Sequence, residues 1–192
     1  ETDERFTLQF TDVGPNEVGF VLSNDDFFGV RSALGMIPVA VSGTGRYVYG
    51  HTWEVRNDGA VILTPYLLDR TTGVRRAVPG SPSIEAVAVS NDGRRVFGAL
   101  GGQSVLLDPA TGGLTVVKNR LGQAFVGGST PVWMAADGSR IAFRTHSSLV
   151  VGGDTNGQAD VFVRTVATGA TVRVNVSTSG RQTAGKTPCS AF

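Results

Sequence analysis

This 192-residue chain has almost no cysteine, no excess of either charge and no long apolar run, and each shortage removes a class of protein. Its one cysteine, Cys189, excludes an internal disulfide framework, and nothing around it matches a nucleophile signature. An isolated thiol of this kind reads as a small hydrophobe, free or paired with another chain. Seventeen Lys plus Arg against sixteen Asp plus Glu leave a formal charge of +1. That balance supplies no field to recruit nucleic acid or an anionic membrane surface, so neither is expected as a partner. No stretch approaches the roughly 18 consecutive apolar residues of a membrane-spanning helix. The opening Glu1-Thr2-Asp3-Glu4 lacks the basic start of a signal peptide. Helical periodicity of useful length is missing as well, which leaves an all-β chain.

Glycine, by contrast, is abundant at 26 residues, and it punctuates short apolar runs instead of gathering in a low-complexity tract. Three segments share an apolar strand, a turn ending in glycine and a second apolar strand: Val39-Ala-Val-Ser-Gly-Thr-Gly45-Arg-Tyr-Val-Tyr-Gly50, Val87-Ala-Val-Ser-Asn-Asp-Gly93-Arg-Arg-Val-Phe-Gly98 and Val132-Trp-Met-Ala-Ala-Asp-Gly138-Ser-Arg-Ile-Ala-Phe143. A glycine between two apolar strands is a hairpin signal, because it takes a positive φ without steric cost. A second glycine turn follows a third strand each time: Leu67-Leu68-Asp69 before Gly73, Leu106-Leu107-Asp108 before Gly112 and Phe162-Val163 before Gly169. Fourth strands are predicted over 74–78, 114–117 and 170–176, the last with Val172, Val174 and Val176 on one half-buried face. Two different turns recurring in fixed order, at roughly the 40–50 residue span of one blade, predict a β-propeller of four-stranded antiparallel blades. A β-sandwich is the rival architecture, and it does not require such a repeat.

The run of apolar strand, Ser-Asn-Asp-Gly or Ala-Ala-Asp-Gly, apolar strand, then Asp-Pro-Ala-Thr-Gly or Val-Ala-Thr-Gly resembles the TolB-type propeller repeat of bacterial envelope and secreted proteins. The resemblance covers residues 36–192 and is strongest at Leu149 to Val163. It departs at Arg164-Thr165-Val166, where the family commonly has an Arg-Asp pair, and at Gly43-Thr44-Gly45 in the first repeat. The expected organisation is a blade over 36–80, a second over 81–127, a third over 128–183, and the first strand of a further blade over 184–192. The last rests on Gly185-Lys-Thr-Pro188 matching Gly128-Ser-Thr-Pro131. About three blades and the start of a fourth do not close a ring of usual size. The propeller is therefore expected to be incomplete as given, completed by more of a longer chain or by β-augmentation from another copy. Residues 1–35 fit the repeat poorly. Phe6 to Phe10 and Val18 to Leu22 read as strands around Gly14-Pro15-Asn16, either a closing element or the end of a preceding blade, and Asp25-Asp26-Phe27-Phe28 is a candidate exposed patch.

The strongest local motif is Asp154-Thr-Asn156-Gly157-Gln158-Ala-Asp160. Its alternating oxygen donors around a turn glycine suit calcium, with Asp154, Asn156 and Asp160 giving side-chain oxygens and Gln158 a carbonyl. Against this, the position of an EF-hand's bidentate Glu is Thr165, and Asx turns explain the same residues. His51 and His146 follow second strands at similar places, near one rim, with Ser147 and Ser148 beside the latter, but no nucleophile elbow accompanies them. Gly98 to Gly102 and Gly122 to Gly128 lack the strand-to-helix setting of a phosphate loop and read as flexible loops. Arg75-Arg76 and Arg94-Arg95 read as solvated faces. Trp53 and Trp133 could stack on a sugar, although Trp133, on an inner strand, is expected in the core. The reading that results is a non-catalytic binding or scaffold propeller, secreted or of the periplasm and cell envelope. Its partner is a protein or glycan, or further copies or segments of its own chain. The alternatives are the propeller part of a larger peptidase-like hydrolase, or a structural subunit assembling by strand exchange into a ring or filament.

Overall fold

The glycine turns that mark the repeats close hairpins in the structure, a computed structural model that describes residues 6–12, 18–24, 35–55 and 59–182. Gly45, Gly93 and Gly138 take φ values of 70°, 69° and 69°, and Gly73, Gly112 and Gly169 take 69°, 74° and 71°. Each pair of turns organises one sheet. The first contains β3 (Gly35–Val41), β4 (Tyr47–Val55), β5 (Val61–Asp69) and β6 (Val74–Ala77). It follows a separate hairpin of β1 (Phe6–Asp12) and β2 (Val18–Asn24). The second sheet contains β7 (Glu85–Val89), β8 (Val96–Leu100), β9 (Gln103–Leu107) and β10 (Leu114–Val116). The third contains β11 (Thr130–Met134), β12 (Arg140–Thr145), β13 (Asp160–Thr165) and β14 (Thr171–Arg173). Strands neighbour one another in sequence order and run antiparallel throughout each sheet. These are three blades of a β-propeller, and no helix occurs among the described residues.

Side chains alternate across each strand, so every blade has two faces to bury. Tyr49 of the first blade packs with Val96, Val105 and Leu107 of the second. Phe97 of the second packs with Ile141, Phe143 and Phe162 of the third. The blades therefore stack in one direction, the first and second each presenting a central aromatic to the next. Full burial of such side chains stabilises by about 1.5–3 kcal/mol each. The first strands lie innermost: β3 contacts β7, β7 contacts β11, and Ser42 forms a parallel bridge with Val89. At one end the turns are tied blade to blade. Thr44 N–H donates to Asn91 Oδ1 at 3.1 Å, and Asn91 N–H donates to the Ala136 carbonyl at 2.7 Å.

Each inner strand also carries a β-bulge at the same place, between Pro38 and Ala40, between Ala86 and Ala88 and between Pro131 and Trp133. The bulged residues are Val39, Val87 and Val132, all substantially exposed. A bulge re-aims its side chain and bends the strand. Gly98 accommodates the bend in the second blade, since a Cβ there would meet the Glu85 carbonyl oxygen at 2.5 Å.

Three expectations are corrected. Trp133 is 51% exposed, outside the core. It pairs with Ala142, whereas the equivalent pairs are Ala40 with Tyr49 and Ala88 with Phe97, so the large ring has moved to the inner strand of a blade face that no described residue covers. That same face leaves Val172 60% exposed along with Val174 and Val176, and β14 ends at Arg173. Gly98 to Gly102 is no flexible loop: Gly98 lies in β8, and Gly101-Gly102, both at positive φ, form the two-residue turn into β9. The Gly14-Pro15-Asn16 turn, Asp25 to Phe28, Cys189 and the expected strand at 184–192 lie outside the described residues.

Candidate functional site

The inner strands β7 and β11 begin at the end opposite the Gly93 and Gly138 turns, and there the chain surrounds a cavity of about 570 Å³. Val39 comes from the first blade, Glu85, Ala86, Val87 and Ala99 from the second, and Arg144, Thr145 and His146 from the third. The segment at 127–131, which leads into β11, completes the wall and is fixed by hydrogen bonds. Ser129 N–H donates to the Gly102 carbonyl at 2.8 Å, Ser104 N–H donates to Ser129 Oγ at 2.8 Å, and Thr145 Oγ1 donates to the Gly128 carbonyl at 2.7 Å. Polar groups of the loops are thereby spent on the fold. Two charged side chains are not: neither Glu85 nor Arg144 makes a hydrogen bond or ion pair with a described residue, and Arg144 Nε is buried without a partner. A guanidinium left so is unusual, because burying its N–H groups unpaired costs about 1–3 kcal/mol or more.

The residues offered as calcium ligands are placed differently. Asp160 is fully buried, with Oδ2 accepting from Arg173 Nη1 at 2.9 Å and Oδ1 from Asn175 Nδ2 at 2.6 Å. The same Arg173 nitrogen lies 3.3 Å from Asp154 Oδ1. Asn156 Oδ1 accepts from the Gln158 N–H at 3.1 Å, the Asx turn anticipated for it. Burial raises the Asp154 pKa above the ordinary carboxyl value, partly offset by Arg173 and assisted by Asp160. The cation between these carboxylates is thus an arginine of the third blade, and no cluster of three or more His, Cys, Asp or Glu suited to a metal occurs among the described residues.

The histidines do not converge on one function. His51 is buried with Nε2 unpaired among the described residues, its ring edge-on to Tyr49 at 5.5 Å, and burial lowers its pKa. His146 is exposed at the cavity. The equivalence between blades is offset: His51 follows Gly45 at the interval by which Arg144, not His146, follows Gly138. Three residues of the basic pairs are individually engaged. Arg75 lies over the Tyr66 ring at 5.9 Å, Arg94 lies 3.9 Å from Asp92, and Arg95 Nη1 donates to the Gly138 carbonyl at 2.8 Å. Trp53 is half-buried on β4. Arg144 and Glu85 are the residues that sequence reasoning passed over. The sequence signal for Arg144 is its alignment with His51, which marks the end of a second strand.

No protein-family model matches the chain, and no curated protein does. Solved structures similar to it include one assigned to TolB from Agrobacterium tumefaciens, at 18% identity and a TM-score of 0.47, covering 90% of this chain and 55% of that one. An oligogalacturonate lyase from Vibrio parahaemolyticus matches at 12% identity and a TM-score of 0.47, covering 90% and 47%. The β-propeller domain of the Trilobed protease from Pyrococcus furiosus matches at 11% identity and a TM-score of 0.42, covering 90% and 58%. The chain spans about half the length of these three structures.

Proposed function

We propose that this chain is a non-catalytic binding or scaffold propeller of the bacterial cell envelope or exterior, engaging a protein or glycan partner at the loop-lined end of its blades. The observation that supports the reading is the convergence of all three blades on one cavity whose wall is hydrogen-bonded while Glu85 and Arg144 stay unpaired among the described residues. Preformed concave sites with an apolar wall and a few convergent polar groups are where ligands bind. Nucleophilic catalysis would ask instead for a nucleophile and base within hydrogen-bond reach of each other.

The test fills the cavity. Val87 is half-exposed on the wall, so Val87→Trp occupies the space without disturbing a buried neighbour. A partner retained from envelope material or a glycan panel by the intact protein is expected to be lost by Val87→Trp at unchanged thermal midpoint. Retention by the variant overturns this site. Turnover of a peptide or polysaccharide that His146→Ala abolishes overturns the non-catalytic reading.

A further inference from the structure

The cavity holds two opposite charges that do not meet each other. Glu85 opens β7 and Arg144 lies near the end of β12, both on the wall and both unpaired among the described residues, with Nε of Arg144 already out of water. Surface arginines without partners are ordinary; one that lines a cavity while its Nε is enclosed and unsatisfied is not. A guanidinium presents two parallel N–H groups that match a carboxylate, and such charge-assisted pairs are the strong hydrogen bonds of proteins. The rest of the wall is mixed: Val39, Val87 and Pro131 form an aliphatic part beside Ser129, Thr130, Thr145 and His146, and among the described residues it carries no Phe, Tyr or Trp face on which a sugar ring would stack. A ligand for this site therefore carries a carboxylate, an aliphatic group beside it and a hydrogen-bond donor for Glu85.

The geometry points to the C-terminal carboxylate of a peptide ending in an aliphatic residue. Arg144 takes the carboxylate, the valines and Pro131 take the last side chain, and Glu85 accepts from a preceding N–H. This assignment rests on the cavity being the binding site proposed above. Capture of chain termini by a few fixed groups is an established mode of peptide recognition.

The experiment compares N-acetyl-alanyl-valine with its C-terminal amide and with glucuronate, titrated into the intact protein by calorimetry or NMR. The acid is expected to bind at least about tenfold more tightly than the amide, the loss of one charge-assisted pair. Arg144→Gln is expected to remove that difference at wild-type thermal stability, since the Arg144 side chain makes no hydrogen bond or ion pair with a described residue. Arg144→Lys keeps the charge without the fork and falls between. Should Arg144→Gln fail to fold, the acid-to-amide ratio in wild type and in Arg144→Lys decides. Equal binding of acid and amide, lost in Val87→Trp, overturns the carboxylate assignment and leaves the cavity as the site. Binding of glucuronate alone overturns the peptide in favour of an acidic sugar. No binding of any of the three overturns the inference.

Discussion

Arg173 places one guanidinium nitrogen 2.9 Å from Asp160 and 3.3 Å from Asp154, in a setting where all three side chains are at least nine-tenths buried. Charges removed from water so completely are tolerated only as a paired set, and deleting one partner strands the others. Arg173→Met is therefore expected to cost about 3–5 kcal/mol in urea unfolding. The same arginine bears on the calcium proposal for Asp154, Asn156, Gln158 and Asp160. Because the arginine already supplies the cation, millimolar calcium is expected to leave the wild-type thermal midpoint unchanged; a rise in wild type would establish the metal instead. Asp154 makes a separate, pH-dependent prediction. Burial holds its pKa above the unfolded value, so its protonated form favours the fold, and that contribution fades as pH rises through the folded pKa. Asp154→Asn has no proton to lose. Its stability relative to wild type should rise as pH increases above the ordinary Asp value of about 3.9. A flat or falling difference would contradict the burial argument.

Equivalent turns in the three blades have different surroundings, and this gives the elements their own test. Gly73, Gly112 and Gly169 share a positive φ, yet a Cβ at Gly73 or Gly169 meets nothing within 4 Å, whereas at Gly112 it meets the Pro79 carbonyl oxygen at 1.6 Å. Alanine at the first and last should cost about 1–2 kcal/mol, the strain of a left-handed L-residue. Gly112→Ala should cost roughly twice that or more, since backbone must also move. Equal costs in denaturant unfolding would show that the turns are interchangeable. The glycine turns were legible in the sequence because a hairpin is set by residues close together in the chain. So was the Asx turn at Asn156. The bulges at Val39, Val87 and Val132 left no such mark, because a bulge is a relation between two strands and a valine serves either geometry. Arg173 was equally hidden: it reaches Asp160 only after β13 and β14 pair. The exchange that puts Trp133 opposite Ala142 can be seen in the aligned repeats, but its exposure depends on what covers the blade.

At the scale of the molecule the blades form a directional stack. The second blade buries Tyr49 of the first and the third buries Phe97 of the second, each fully. The corresponding face of the third blade offers Trp133 with Val172 and Val174 and meets no described residue. A contiguous apolar surface of this kind behaves as an interaction site or drives association. Two internal interfaces indicate what fits it, a sheet face carrying branched aliphatic and aromatic side chains such as Ile141, Phe143 and Phe162. Sedimentation velocity of the 192-residue chain is accordingly expected to show mass rising with concentration. Trp133→Glu, which places a charge at the centre of the face, should return it to a monomer, because an unpaired charge cannot be buried against an apolar partner. Acrylamide quenching gives the independent readout. With Trp53→Phe leaving Trp133 as the one tryptophan, the ring should be quenched freely at low concentration and protected as the mass rises. A wild-type monomer at every concentration, with Trp133 protected throughout, would mean that the face is covered within a single chain and that assembly does not use it.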